Sequence, residues 1–235
     1  MEKPKMIKCT KCEYGSVEVQ NGAETSTEPC PVCGGTGMVK QNIKLSVCMI
    51  VGKEEGNLQR CLDSILPITY QEWCELIIIC TQKGDRTEEV ARKYADICKF
   101  QEWKDDFSYH RNYSISFAKG ERILIIDADE MLEQSSLYLL QETILNPKYS
   151  EYGTIFLNIK SVVTAEGGTS NIQQPRIFNH PGDEEIYSGT VHNKGNAKEP
   201  YLVANNINII HYGYNFVNNP ELREKKFKRT YPLLV

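Results

Sequence analysis

The feature that most limits how this chain can fold is a set of short, almost wholly apolar runs separated by amphipathic stretches. Leu45–Val51 (LSVCMIV), Leu76–Cys80 (LIIIC) and Arg122–Ile126 (RILII) lack the strict alternation of a half-exposed strand. Each therefore belongs in a sheet covered on both faces. Between the first two, Leu58, Cys61, Leu62 and Ile65 fall at i, i+3, i+4 and i+7, which predicts a helix over Glu55–Leu66. Asp85–Asp96 reads as a second helix with Val90, Ala91 and Tyr94 on one side, Ile97–Phe100 as a short strand, and Phe107–Ala118 as a third helix. Strands and helices alternating in this order predict an α/β domain with a parallel sheet. After about residue 150 the pattern changes. Gly153–Lys160, Ile172–Phe178, Glu185–Val191 and Tyr201–Ile210 are strand-like with turn signals between them, so this half is expected to be mixed or antiparallel.

Composition excludes several classes. The net charge of −4 gives no global basic field to draw the chain onto nucleic acid or an anionic membrane. The basic run Glu221–Arg229 reads as a solvated helix face. No stretch approaches the roughly 18 consecutive apolar residues of a membrane span. The opening residues MEKPKMIKCTKC have no apolar core, so no signal peptide is expected. Of nine cysteines, Cys48, Cys61, Cys74, Cys80 and Cys98 mostly sit within apolar strand or helix patterns, where cysteine packs as a small hydrophobe. That distribution is unlike a secreted disulfide scaffold and predicts a reducing, cytoplasmic setting.

The other four cysteines define a separate module. Residues 1–40 are polar and too poor in large apolar side chains to bury a core. Cys9-x-x-Cys12 and Cys30-x-x-Cys33, 17 residues apart, have the spacing of a closed tetrahedral site. Disulfides or a redox pair are the alternatives; structural Zn²⁺ is the expectation. The second element, Cys30-Pro-Val-Cys-Gly-Gly-Thr-Gly37, resembles those of the DnaJ cysteine-rich domain, and the whole resembles a zinc ribbon. Such ribbons bind proteins or nucleic acids, or brace a neighbour. The expected division is thus 1–40 and 44–235.

The sharpest functional signal is Ile123-Leu-Ile-Ile-Asp127-Ala-Asp129-Glu130, where a buried strand delivers carboxylates at i and i+2 to its carboxyl end. Ligands of open α/β sheets bind there, and such a pair can hold Mg²⁺ or Mn²⁺ against a diphosphate. Around it stand Ser46–Val51 with Glu54-Glu55 and Asn57–Ser64, then Asp106-Phe-Ser108 with Arg111-Asn112 and Ala118-Lys-Gly120. Further on come Arg176-Ile-Phe178, Tyr187-Ser-Gly189-Thr-Val-His192 and His211-Tyr-Gly-Tyr214. In order and spacing, residues 44–215 resemble the family-2 glycosyltransferases of GT-A fold, above all the bacterial branch that includes peptide S-glycosyltransferases.

The resemblance implies a GT-A Rossmann-like mixed sheet flanked by helices. It also implies metal-dependent, inverting transfer of a hexose from a nucleoside diphosphate sugar, a UDP-sugar first among them. On it, Asp127 would bond ribose or sugar, Asp129 and His192 would ligate the metal, Arg111 would approach the diphosphate, and Glu54 would meet base or ribose. The chain departs from the pattern at Lys53, where the family has Asn, and at Cys80, where it has an Asp that contacts the nucleotide. Asp183, Glu184, Glu185 and Glu130 are candidates for the base that activates the acceptor, whose identity the sequence does not give. His211 reads equally as a packed histidine or a site residue. A rival reading is a catalytically inactive GT-A scaffold serving as a zinc-ribbon adaptor.

Overall fold

The computed structural model describes residues 6–8, 16–21, 24–30, 35–40, 43–162, 169–190, 194–213, 224 and 228. Near the N-terminus, β1 (Met6–Lys8) pairs antiparallel with β4 (Met38–Lys40), and β2 (Ser16–Asn21) forms a hairpin with β3 (Glu24–Pro29). Cys30 follows β3 and is buried. Cys9, Cys12 and Cys33, and with them the expected zinc site, lie outside the described residues.

The main body follows as β5 (Leu45–Val51), α1 (Glu55–Thr69), β6 (Cys74–Cys80), α2 (Thr87–Tyr94), β7 (Ile97–Phe100), α3 (Phe107–Ile115) and β8 (Arg122–Ile125). Then come β9 (Glu130–Leu132), α4 (Leu137–Leu145), β10 (Thr154–Val162), β11 (Thr169–Asn179), β12 (Tyr187–Ser188), β13 (Lys194–Gly195) and β14 (Tyr201–His211). Eight strands share one sheet in the order β7-β6-β5-β8-β11-β10-β14-β9. The first four are mutually parallel; β11 is antiparallel to β8 and to β10, β14 runs parallel to β10, and β9 antiparallel to β14. The sheet is therefore mixed, with its parallel half where the apolar runs put it.

Both faces of that half are covered, which is why those runs do not alternate. Leu45, Val47, Met49 and Val51 face one cluster with Leu76, Ile78 and Leu124, sealed by Leu58, Cys61, Leu62 and Ile65 of α1 and Val90 and Ala91 of α2. Cys48, Ile77, Ile79, Ile123 and Ile125 face the other, closed by Ile115, Tyr113 and Phe117 on and just beyond α3. Each fully buried Leu or Ile of this kind contributes about 1.5–3 kcal/mol.

Among the expected elements, one helix and one strand depart most from the sequence reading. Helix α1 continues through Pro67 to Thr69, because Pro67 lies in the last turn and Ile68 and Thr69 gain burial beyond it. Of the strand expected over Glu185–Val191, whose last residue lies outside the described ones, Tyr187 and Ser188 form β12; Ile186 just before it and Tyr187 are buried on the α3 face, and Ser188 is exposed.

Candidate active site

Strand order fixes where a site can form. From β5 the chain moves outward to β6 and β7, then returns to the other side of β5 for β8. The connections after β5 and β8 consequently diverge, leaving a crevice at their carboxyl ends. Glu54 follows β5 and Asp127 follows β8, so both sequence-predicted positions lie on this rim. Within Ile126–Glu130 the side chains alternate. Ile126 and Ala128 enter the core, and Asp127 and Asp129 stay partly accessible, with side-chain exposures of 31% and 20%.

Asp127 is held by two guanidinium groups. Arg111 Nη2 donates to both carboxylate oxygens, at 2.8 and 3.1 Å, and Arg176 Nη1 lies 3.6 Å away. Burial alone would push the Asp127 carboxyl up, but Arg111 and Arg176 outweigh it and hold it below the usual range. Arg176 also forms a buried ion pair with Glu130, whose other oxygen accepts the Asp127 amide at 2.9 Å. Burial pushes the Glu130 carboxyl up to about 7, against the pull of Arg176. Arg111 Nε and Nη1 and Arg176 Nε are buried with no hydrogen-bond partner among the described residues. Arg111 sits 5.3 Å from the centre of the Tyr187 ring, which offers its π face to the cation. From α1, the Cys61 thiol approaches the Asp127 carbonyl at 3.4 Å.

Asp129 has a different neighbour. His211, at the end of β14, places Nε2 3.3 Å from Asp129 Oδ2, and the Tyr212 amide donates to the Asp129 carbonyl at 2.9 Å. Two ligands on one Mg²⁺- or Mn²⁺-like ion, at bonds of about 2.1 Å and a right angle, stand roughly 3 Å apart. The observed separation is close to that figure, and of the two atoms the Asp129 oxygen is the one such a hard ion prefers. No group of three or more His, Cys, Asp or Glu side chains able to hold a metal occurs among the described residues. Mg²⁺ is ordinarily bound by one or two carboxylates with substrate phosphates completing the shell, so a two-residue protein share is sufficient.

The remaining predicted positions are placed as follows. His192 lies outside the described residues, although Gly189 and Thr190 just before it are anchored to the start of α3 through Ser108 and the Phe107 amide. Glu54 starts α1 and accepts from Asn57 Nδ2 at 3.0 Å, while its amide donates to Thr87 Oγ1. Cys80 is fully buried with its thiol set against Cys98, beside Glu88 and Arg92. Arg111 reaches the site, but through Asp127. Asp183, Glu184 and Glu185 line a groove of about 440 Å³ with Tyr109 and Tyr113. That loop starts where the His180 amide donates to the Glu121 carbonyl just before β8, and runs to Tyr187, which exchanges hydrogen bonds with Asn112 of α3. Arg176 and Glu130, the pair that locks the motif, received no such role from sequence. A buried-strand arginine followed by Ile-Phe was the available signal.

An open α/β sheet with acidic residues at its switch point, continued by a mixed half, defines a GT-A-like fold. The family described as Glycosyl transferase family 2 matches residues 46–201, and the chain belongs to it. It is 25% identical over 199 residues to the SPbeta prophage-derived glycosyltransferase SunS of Bacillus subtilis, covering 83% of this chain and 42% of SunS. It is 40% identical over 89 residues to a TPR repeat-containing protein of Synechococcus elongatus, covering 38% of this chain and 21% of that protein. The chain thus spans less than half the length of these relatives. In fold it is similar to S. aureus TarS 1-349, with a TM-score of 0.55 and 15% identity over 78% of this chain and 63% of that one.

Proposed function

We propose that this chain transfers a hexose from a nucleoside diphosphate sugar, with inversion, using a divalent cation on Asp129 and His211. The observation that carries the reading is the division of labour at the end of β8. Asp127 is neutralised by two arginines, whereas Asp129 faces an imidazole at a ligand-like separation. Bound there, Mg²⁺ or Mn²⁺ would offset the charge that develops on the departing diphosphate. Asp127, fixed in orientation and retaining an accessible side, is suited to accept hydrogen bonds from sugar or ribose hydroxyls. Arg111 and Arg176 keep it ionised for that purpose. His192 remains a further candidate ligand. In an inverting transfer the acceptor attacks the anomeric carbon opposite the leaving group, and a base takes its proton.

The N-terminal cysteines we read as a structural Zn²⁺ site. Strand β1 pairs with β4, and Cys30, which lies between them in sequence just after β3, is buried. None of Cys48, Cys61, Cys80 and Cys98 is in a disulfide, which suits a reducing compartment. No helix among the described residues is long and apolar enough to cross a membrane.

The test is a panel of nucleotide sugars, UDP-sugars first, scored for nucleoside diphosphate release with Mg²⁺ or Mn²⁺. Asp129→Ala and His211→Ala should each lower cation-dependent turnover at least about 100-fold while leaving the fold intact. Turnover that persists in both variants and in EDTA refutes the cation assignment. Absence of turnover with every donor favours the inactive-scaffold reading.

A further inference from the structure

Ser161 and His211 are direct neighbours across the parallel pair β10 and β14, and His211 is in turn opposite Glu130 on β9. This register lines up Ser161, the His211 ring and the turn bearing Asp129. Ser161 Oγ lies 3.3 Å from His211 Nδ1, and His211 Nε2 lies 3.3 Å from Asp129 Oδ2. Both ring nitrogens are therefore engaged, in a side chain only 14% exposed, and Ser161 is itself buried.

A neutral imidazole carries one N–H. Without a cation, the arrangement that satisfies both contacts places it on Nε2, donating to Asp129, while Nδ1 accepts from the Ser161 hydroxyl. A metal ligand needs a bare Nε2 lone pair, so the ring's single proton must then sit on Nδ1 and donate to Ser161 Oγ. A hydroxyl serves in both states, because it has one donor and two lone pairs and its proton rotates. A carboxylate or backbone carbonyl in its place could only accept and would favour the ligand-ready tautomer permanently. An alanine would hold neither.

We propose that Ser161 is a positioning residue that fixes the His211 ring toward Asp129 and reverses its hydrogen bond when a cation binds. The proposal rests on the cation reading of Asp129 and His211 given above. Partners of this kind orient metal-binding histidines, and their loss typically weakens metal affinity about 10- to 100-fold.

The experiment uses the full chain with UDP present. Mn²⁺ affinity is measured by electron paramagnetic resonance for wild type, Ser161→Ala, Ser161→Thr, Asp129→Ala and His211→Ala. In parallel, ¹⁵N shifts of the His211 ring are recorded on wild type before and after addition of diamagnetic Mg²⁺. The expected results are a loss of about 10-fold or more in Ser161→Ala, near-wild-type affinity in Ser161→Thr, and a move of the proton from Nε2 to Nδ1 on Mg²⁺ addition. Unchanged affinity in Asp129→Ala and His211→Ala overturns the cation reading and the proposal with it. Loss in those two, with Ser161→Ala unaffected or the wild-type tautomer unmoved, overturns the role of Ser161 alone. An unmoved wild-type tautomer overturns the proposal even if Ser161→Ala does not fold.

Discussion

Replacing Arg176 with methionine should be among the most damaging single changes in this domain. The Arg176 and Glu130 side chains are 8% and 2% exposed, and Arg176 also faces Asp127. Methionine fills similar space but removes the cation that opposes the effect of burial on Glu130. Above about pH 7 the carboxylate must then either stay charged and unpaired or be forced to take up a proton. Removing one partner of a buried pair costs about 3–5 kcal/mol, because the survivor has neither water nor counter-charge. A domain of this size loses roughly 2–4 °C of Tm per kcal/mol, so Tm should fall by about 6–20 °C. Against a typical total stability of about 5–15 kcal/mol, that is a large share. Urea unfolding followed by circular dichroism gives the free-energy change. The control is Glu130→Gln combined with Arg176→Met, which removes the stranded charge as well. It should recover at least about 1 kcal/mol of the single-variant loss, the coupling expected of residues in contact. If Arg176→Met lies within about 1 kcal/mol of wild type, or the double variant is additive, the ion pair is not what holds the acidic turn.

Three further outcomes are expected. Gly120→Ala should destabilise by about 1–3 kcal/mol or more in urea, since its Cβ would stand 2.5 Å from the Ser46 amide nitrogen and 2.7 Å from the Leu45 carbonyl carbon, both backbone. Glu75 is buried and accepts at one oxygen from Ser46 Oγ at 2.6 Å and the Lys119 amide at 2.7 Å. Burial raises its carboxyl above the ordinary 4.5, so wild type gives up stability as pH climbs from that value through the raised one. Glu75→Gln keeps the acceptor without the charge, and its stability relative to wild type should therefore improve between pH 5 and pH 8; a constant difference in urea midpoints would count against a buried ionising Glu75. Cys80→Asp should cost about 2 kcal/mol or more with no gain in affinity for UDP by calorimetry, because the thiol is enclosed beside Cys98.

The parallel half of the fold was legible because its pattern is local. Strands covered on both faces must be apolar throughout, and helices covering them must repeat at 3.6 residues, so Leu45–Val51 and Ile97–Phe100 emerge with their observed bounds. Strand β9 and helix α4 were not anticipated. Three residues, Glu130–Leu132, are too few to show a period, and their pairing with Ile209–His211 is made across almost eighty positions of sequence. The site divides the same way. The motif at Asp127 and Asp129 announces itself in one strand, whereas the partners that set its chemistry arrive from β11 and β14. Arg176 shows only as a cation within an otherwise mixed strand, and His211 follows an apolar run that any packed histidine could follow.

That separation explains why two carboxylates at i and i+2 need not do the same job. Both acids lie just past β8 in a turn closed by the Glu130 amide donating to the Asp127 carbonyl at 3.0 Å, and both side chains stay partly exposed there. What distinguishes them is the neighbouring element each meets. Asp127 lies against α3 and β11, which bring Arg111 and Arg176; their charges hold it ionised and fix its rotamer. A carboxylate so neutralised has little field left for a cation, but its orientation suits hydroxyl recognition. Asp129 reaches the end of β14 instead, where the pairing of β14 with β9 brings His211 to the same turn. The described side-chain neighbour it meets there is the His211 imidazole, at 3.3 Å. The two acids share one edge, and the mixed half of the sheet gives each its own neighbour, Arg176 from β11 for Asp127 and His211 from β14 for Asp129.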